Sequence, residues 1–434
     1  MKFFRFYLRL LATLLVRYKI LVMLGFFLGV FFVFLLPRII IFLPKTIPTQ
    51  KIGLVGHYRP TELPLSIQSL VSFGLTETDQ NGLPKAKAST SWKIEDDGKT
   101  YTFFLNANLE WHDKSKLKAS DINYNFSDVE MEVVNEQTIR IKLKEPFSPL
   151  LEAVSRPLFK KGFIGLGDYK VKKITKKGDF VEGVFLDSLV KGKPDIQYFF
   201  YPTEESAKTA MKLGEINKLE GIVNPGSLKD WPNLSIKPVL SYDRYVGLFF
   251  NLNKPSLGEK NIRQALAYAL EKNYGSARAI GPLNPNSWAY SDEVKPYDYD
   301  LEKAKKQINK KFTLKLLTVS SLLNEAERIK NSWEKLGLKV EIGPFNDLGD
   351  DFDVLLAIQE IPPDPDQYVL WHSMQAGNIT QLKNARIDKL LEDGRKTIDL
   401  EQRKKIYYDF QRYLVEEVPV IFLYYPTTYD IERK

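Results

Sequence analysis

Between Ile20 and Pro37 the chain reads ILVMLGFFLGVFFVFLLP, eighteen residues without a charge. Arg38 interrupts the run, and IIIFLP carries it on to Pro44. At about 1.5 Å per residue, a helix over 20–43 reaches about 36 Å, against a hydrocarbon core of about 30 Å. Arg38 stands near one end, where its side chain can extend toward the headgroups. Lys2, Arg5, Arg9, Arg17 and Lys19 come first, so the positive-inside rule puts the N-terminus in the cytoplasm and the bulk of the chain outside. The competing reading is a cleaved signal peptide, whose apolar core is about 7–15 residues and ends in a small-x-small site. Here the run is longer and is followed by Phe42, Pro44 and Thr46, so a retained signal anchor is expected. The preceding stretch FFRFYLRLLATLLV reads either as an interfacial helix or as the same helix continuing into the cytoplasm.

The basicity of the chain belongs to this N-terminus. Of 62 Lys and Arg against 54 Asp and Glu, seven basic residues and no acids fall in the first 45 positions. The remainder holds 55 against 54. A duplex-binding domain carries its own positive face, so no nucleic-acid partner is expected. The absence of cysteine excludes a disulfide scaffold, a thiolate nucleophile, a Cys-ligated zinc site and the lipid-modified cysteine of a lipoprotein. His57, His112 and His372 are each isolated in sequence, so neither a metal site nor a cofactor is expected.

From Lys51 onward, strand-like and helix-like stretches alternate. TYTFFL at 100–105 and QTIRIKL at 137–143 read as strands, with turns at Asn81-Gly82 and Asp97-Gly98, which predicts a small antiparallel region. IQYFFY at 196–201 predicts a strand, followed by a helix capped by Thr203 and ended by Gly214. The strand FTLKLLTVS, a helix with Leu323, Ala326, Ile329, Trp333 and Leu336 on one face, and LKVEIG predict a βαβ unit with parallel strands. DFDVLLAI adds a buried strand, and a helix through Ile406, Phe410 and Leu414 precedes the strand VIFLYY. The fold class is mixed α/β, with two lobes.

The order of these segments resembles the extracellular solute-binding proteins of family 5, of the cluster C type, which include the dipeptide- and oligopeptide-binding components of ABC transporters. The carriers of the resemblance in Leu70–Phe126 are Gly74-Leu75, Trp92, Gly98, Tyr101, Phe103, Leu105, Trp111, Asp113, Ala119 and Asp121. FIGLGDYKVKKI, GEIN, GLFFNLNKP with NIRQALAYALEKN, PNSWAY and PDPDQYVLWHS follow in the family's order, so that the resemblance covers about residues 54–430.

The resemblance implies a two-lobed, periplasmic-binding-protein-like fold of type II, closing on a ligand and presenting one surface to a permease. It implies a first lobe over 51–245, including an accessory subdomain at about 75–150, a second lobe over 246–417 and a strand over 418–434 returning to the first lobe. A basic cytoplasmic or interfacial segment at 1–19 and the transmembrane anchor at 20–43 precede them. The hinge is expected at Gly247–Asn253. After Asp121 the chain moves almost directly to the next strand, and a second shortening falls between Lys272 and Pro282, so the accessory subdomain is reduced.

In peptide binders of the family, an aspartate a few residues ahead of the Asp-Pro pair holds the peptide's α-ammonium; counting back from Asp364-Pro365, Ile361 takes that place and Glu360 is adjacent. The candidate ligand-binding residues are Trp111, Tyr245, Glu360, Asp364, Trp371 and His372, aromatics for an apolar wall and carboxylates for a cationic end. Five of them also have a plainer reading: Trp111 and Trp371 as core, Tyr245 as part of an interlobe strand, Asp364 as a turn former, His372 as an exposed helix residue.

No GxSxG elbow, HExxH, Walker loop or dinucleotide fingerprint occurs, so no enzyme is expected. The expected function is capture of short peptides outside the cytoplasm and their delivery to a membrane ABC permease with its ATPase subunits, from a single-pass anchor in the cell membrane. The alternatives are a non-peptide solute, such as a metal chelate or an oligosaccharide, and a tethered sensor or structural protein that has lost transport.

Overall fold

The computed structural model describes residues 13, 16–42, 49–308, 310–347 and 349–434. Lys2, Arg5 and Arg9 lie outside the described residues, as does most of the segment 1–19. The chain divides into a unit of 1–48 with 192–194 and a unit of 49–191 with 195–434. In the first unit, Lys19–Phe42 is a 24-residue α-helix with no acid in its first turn, and its described apolar side chains from Ile20 to Phe34 are exposed. Taken over the described residues alone, no helix is long and apolar enough to cross a membrane. The helix expected at 20–43 is therefore observed, but a membrane span is not.

The second unit starts from a seven-stranded sheet. Gln50–Val55 lies at its centre, parallel to Ile196–Tyr201 on one side and Lys218–Ile222 on the other. The crossover helix Glu204–Leu213 is the predicted one: the Thr203 hydroxyl accepts from the Ser206 amide, and Gly214 ends the helix at φ 80°. Tyr169–Lys177 and Phe180–Ser188 extend the sheet at one edge, Leu234–Leu240 and Thr427–Arg433 at the other.

The accessory subdomain is a four-stranded antiparallel sheet ordered Ser89–Glu95, Thr100–Leu105, Thr138–Leu143, Val129–Asn135. Its inward positions Tyr101, Phe103, Ile139 and Ile141 alternate as the period of two requires and meet Trp111 and Leu150 in a core of their own. Two glycines bring neighbouring chain segments together without an intervening side chain. A Cβ at Gly74 would overlap the carbonyl oxygen of Val154, and one at Gly165 that of Val71. Backbone atoms cannot rotate away, so Gly165→Ala is expected to destabilise the protein by about 1–3 kcal/mol or more, read as the loss in a urea-unfolding titration.

The second lobe is a five-stranded sheet ordered Lys339–Pro344, Thr313–Thr318, Val354–Glu360, Arg244–Phe250, Val420–Tyr424. The predicted βαβ unit is there: Thr313–Thr318 and Lys339–Pro344 run parallel, joined through Leu323–Glu334, whose Ala326, Ile329 and Trp333 are buried. The lobes are linked by two crossings, Ser241–Asp243 between Leu234–Leu240 and Arg244–Phe250, and Tyr425-Pro426 between Val420–Tyr424 and Thr427–Arg433. The crossings touch: the Ser241 amide donates to the Pro426 carbonyl at 3.1 Å, and Tyr242 meets Tyr425 edge-on at 5.0 Å.

Two boundaries are corrected here. Val420–Tyr424 does not return to the first lobe; every residue of it is buried in the second-lobe sheet, and Pro426, which has no amide for the ladder, marks the change of sheet. The chain passes between the lobes before Gly247–Asn253, the segment expected to form the hinge, because Arg244–Phe250 pairs along its whole length with Val354–Glu360.

Candidate functional site

The space between the lobes has two ends. At the hinge end, Arg244 and Glu360 sit opposite each other in register, at the start of one strand and the end of its neighbour. Arg244 donates to both carboxylate oxygens of Asp243, at 3.1 and 3.0 Å. The hydrogen bonds that Arg244 donates to Asp243 hold the guanidinium pKa above its ordinary value, and Glu360 and the first-lobe Tyr58 add to this. Glu360 itself is exposed.

At the far end, the accessory region closes on the second lobe. The Trp288 amide donates to the Asn81 carbonyl at 2.8 Å, and the Ser148 amide to the Arg395 carbonyl at 2.8 Å. The Ser148 hydroxyl donates to the carbonyls of Gly394 and Arg395, and Lys396 pairs with Glu145 at 2.5 Å. These contacts border a partly open cavity of about 90 Å³, with Tyr101, Leu151 and Glu152 on one wall and Trp288, Asp364 and Arg403 on the other.

Local sequence delivers the second wall. The loop after Val354–Glu360 carries Asp364 and Asp366, and two helices, Ala385–Lys396 and Leu400–Glu417, bring an arginine to each. Arg403 binds Asp364 through two parallel bonds of 2.9 and 2.5 Å, and Arg395 binds Asp366 at 2.7 Å. Burial works against charge on Arg403, but Asp364 outweighs it and holds the guanidinium pKa above its ordinary value. On the first wall, burial raises the Glu152 carboxyl and the like charge of Asp364 adds to the effect, against hydrogen bonds from Thr78 and Ser155. Burial pushes the Tyr101 phenol up to about 12, so it stays neutral.

The six candidate residues are not gathered in one place. Trp111 is 1% exposed in the accessory core and donates to Asp121 at 3.0 Å. Tyr245 and Trp371 flank Phe249 in the second-lobe core, with ring centroids at 6.2 and 6.4 Å from it, and both are buried. His372 is buried, stacks on Tyr368 at 4.2 Å and meets Glu392 at 3.3 Å. These four side chains are packed among core neighbours, the plainer reading for the two tryptophans; Tyr245 lies in the strand next to the hinge, and His372 is not an exposed helix residue. Asp364 faces the interlobe cavity, but paired with Arg403. Glu360 is at the hinge end, and Ile361 beside it is buried with its amide on the Asp243 carbonyl at 2.7 Å. Sequence reasoning missed Glu152, Trp288 and Arg403 as cavity residues; they come from three separate stretches of the chain, and only tertiary packing brings them together.

Two lobes joined by two crossings, with a cavity between them, define a bilobal receptor of the periplasmic-binding-protein class. A family profile, bacterial extracellular solute-binding proteins, family 5, middle region, matches residues 84–380, and the chain belongs to this family. It is thus a binding protein and not an enzyme, and its binding unit works outside the cytoplasm. It is 23% identical to the oligopeptide-binding protein AppA of Bacillus subtilis over 86% of this chain and 84% of that one. It is 22% identical to the dipeptide-binding protein of Escherichia coli over 79% and 81%. Among solved structures, NikZ from Campylobacter jejuni in complex with Ni(L-His) superposes with a TM-score of 0.75 at 26% identity, over 89% of this chain and 95% of that one. AppA from Bacillus subtilis in complex with a nonapeptide gives 0.70 at 22% identity, also over 89% and 95%.

Proposed function

We propose that the chain captures short peptides between its lobes and passes them to an ABC permease, from the membrane surface to which the helix Lys19–Phe42 anchors it. The observation that carries this reading is the pair of lobes on two short adjacent crossings, with a charged and aromatic cavity where they meet. The names of the relatives, oligopeptide-binding and dipeptide-binding proteins, support a peptide as the solute. A second reading, a small metal chelate, is favoured by the apolar Ile361 beside Glu360 and by the nickel–histidine complex of the similar NikZ. Mass spectrometry of what the full-length protein carries out of cells, after acid release, separates the two. A family of short peptides is the expected result; a single chelate replaces the peptide reading with the second.

Of the residues singled out in the sequence, Glu360 and Asp364 belong to the ligand-facing surface in this reading. Glu360→Gln is expected to weaken peptide binding about two- to fivefold, the range of an exposed, partly balanced charge. Calorimetric titration checks this, and unchanged affinity removes Glu360 from the site. The anchor is supported by the uncharged sequence of residues 20–37 within a 24-residue helix and by the exposure of its described side chains. The accessory subdomain is reduced in this reading, since its strand Val129–Asn135 begins eight residues after Asp121. Alkaline carbonate should leave the protein in the membrane pellet; release into the supernatant rejects the anchor.

A further inference from the structure

The cavity between the accessory subdomain and the second lobe is unbalanced in charge. Its walls carry two carboxylates, Glu152 and Asp364, and one cation, Arg403, which is held by Asp364 through both of its terminal nitrogens. Glu152 is left with two neutral partners: the Thr78 hydroxyl donates to one of its oxygens, and the Ser155 hydroxyl to the other at 3.3 Å. Among the described residues, no lysine or arginine stands within ion-pair distance of it; Arg156 acts on it only weakly and from farther off. A half-buried carboxylate without a counter-charge is costly, and an incoming cation removes that cost. Tyr101 and Trp288 line the cavity from opposite walls, and aromatic rings favour a cation over an anion. About 90 Å³ takes a headgroup with its nearest carbons, and not a whole peptide.

We propose that this cavity is the subsite for a compact primary ammonium group of the ligand, with Glu152 of the accessory subdomain as its counter-charge. The inference rests on the reading of interlobe capture and adds to it the charge that the ligand must bring. It also gives the accessory subdomain a part in recognition, because Glu152 meets the ligand only when the subdomain lies against the second lobe.

The pH dependence follows from the groups around Glu152, namely Thr78, Ser155, Asp364, Arg156 and Arg403. Burial and Asp364 raise its pKa, so the empty protein takes up a proton there more readily than the unfolded chain does. Stability of the empty protein therefore declines as pH rises from the ordinary carboxylate range through the raised value. Binding of a cation strengthens over the same rise, since it needs the carboxylate ionised.

The test uses the full-length protein in detergent micelles, as wild type, Glu152→Gln and, as a control on an exposed first-lobe strand, Glu182→Gln. Calorimetry with trialanine and N-acetyl-trialanine is expected to show about a tenfold to hundredfold loss on acetylation and a similar loss in Glu152→Gln. Glu182→Gln should bind as wild type does. In parallel, thermal unfolding is followed in methylammonium chloride against sodium chloride at equal ionic strength, where wild type alone should gain stability from methylammonium. Trialanine binding equally well to wild type and Glu152→Gln overturns the subsite and leaves peptide capture standing. Failure of trialanine with wild type, together with a methylammonium effect lost in Glu152→Gln, counts against the peptide and supports the subsite. An equal methylammonium effect in both proteins overturns the subsite whatever the peptides do.

Discussion

Arg403→Met is expected to lower the unfolding free energy by about 3–5 kcal/mol, the usual result of removing one partner of a buried ion pair. The side chain is 6% exposed and binds Asp364 in fork fashion; its Nε also donates to the Gly394 carbonyl at 2.8 Å. Its guanidinium plane lies over Trp288 at 5.5 Å and Tyr407 at 5.3 Å, so methionine replaces its volume but none of its bonds. The larger part of the loss comes from Asp364, whose side chain is 14% exposed and would be left with the Asp366 amide at 2.8 Å but no cation. Adding Asp364→Leu should therefore return much of the lost stability, because a pair of apolar side chains leaves no orphaned charge. Urea-unfolding curves of the three variants decide it. A loss below about 1 kcal/mol in Arg403→Met would mean that water reaches the pair as it reaches a surface bridge, and that the lobes stand open.

Trp111→Ala is expected to cost about 3–5 kcal/mol, the range for deleting a large aromatic from a core. The indole is nearly inaccessible, lies in one cluster with Tyr101, Phe103 and Ile141, and donates to Asp121 at 3.0 Å. Asp121 also accepts from the Lys118 amide, so the same carboxylate fixes the turn that carries the chain away from this core. Lys160 caps the ring from outside at 5.0 Å. Trp111→Phe should recover a good part of the loss, since it refills most of the volume and gives up only the indole bond. Thermal unfolding provides the comparison, and peptide affinity measured well below the transition provides the control. A variant that folds as wild type does but loses ligand would move Trp111 from the core to the cleft.

Much of the architecture was legible because it is local. The Thr203 cap, the Gly214 stop, the apolar stripe through Ala326, Ile329 and Trp333 and the alternation in Thr138–Leu143 depend on residues no more than a few positions apart. Such patterns fix strand, helix and facing without knowledge of the rest of the chain. The order of those segments was enough for the family. The candidate site was less legible. Trp111, Tyr245 and Trp371 have the composition of a binding wall, but large aromatics are equally the residues that fill cores, and burial made them core.

The sequence by itself determined many of the elements, such as the helices at Lys19–Phe42 and Glu204–Leu213 and the strands Thr100–Leu105 and Thr313–Thr318, since hydrophobic period, capping and turn chemistry act between near neighbours; the order of its segments carried the resemblance that implied the two-lobed class. Tertiary structure alone decided which sheet receives Val420–Tyr424, where Pro426 hands the chain from one lobe to the other, and that Ile361 is buried beside an exposed Glu360. It alone also assembled the interlobe cavity, whose Tyr101, Glu152, Trp288, Asp364 and Arg403 come from five separate stretches. The physical reason is that a charge is balanced or unbalanced only by what folds against it. Glu152 is an unremarked acid in a short helix turn until the accessory sheet packs against the second lobe and half-buries it with no cation at ion-pair distance among the described residues.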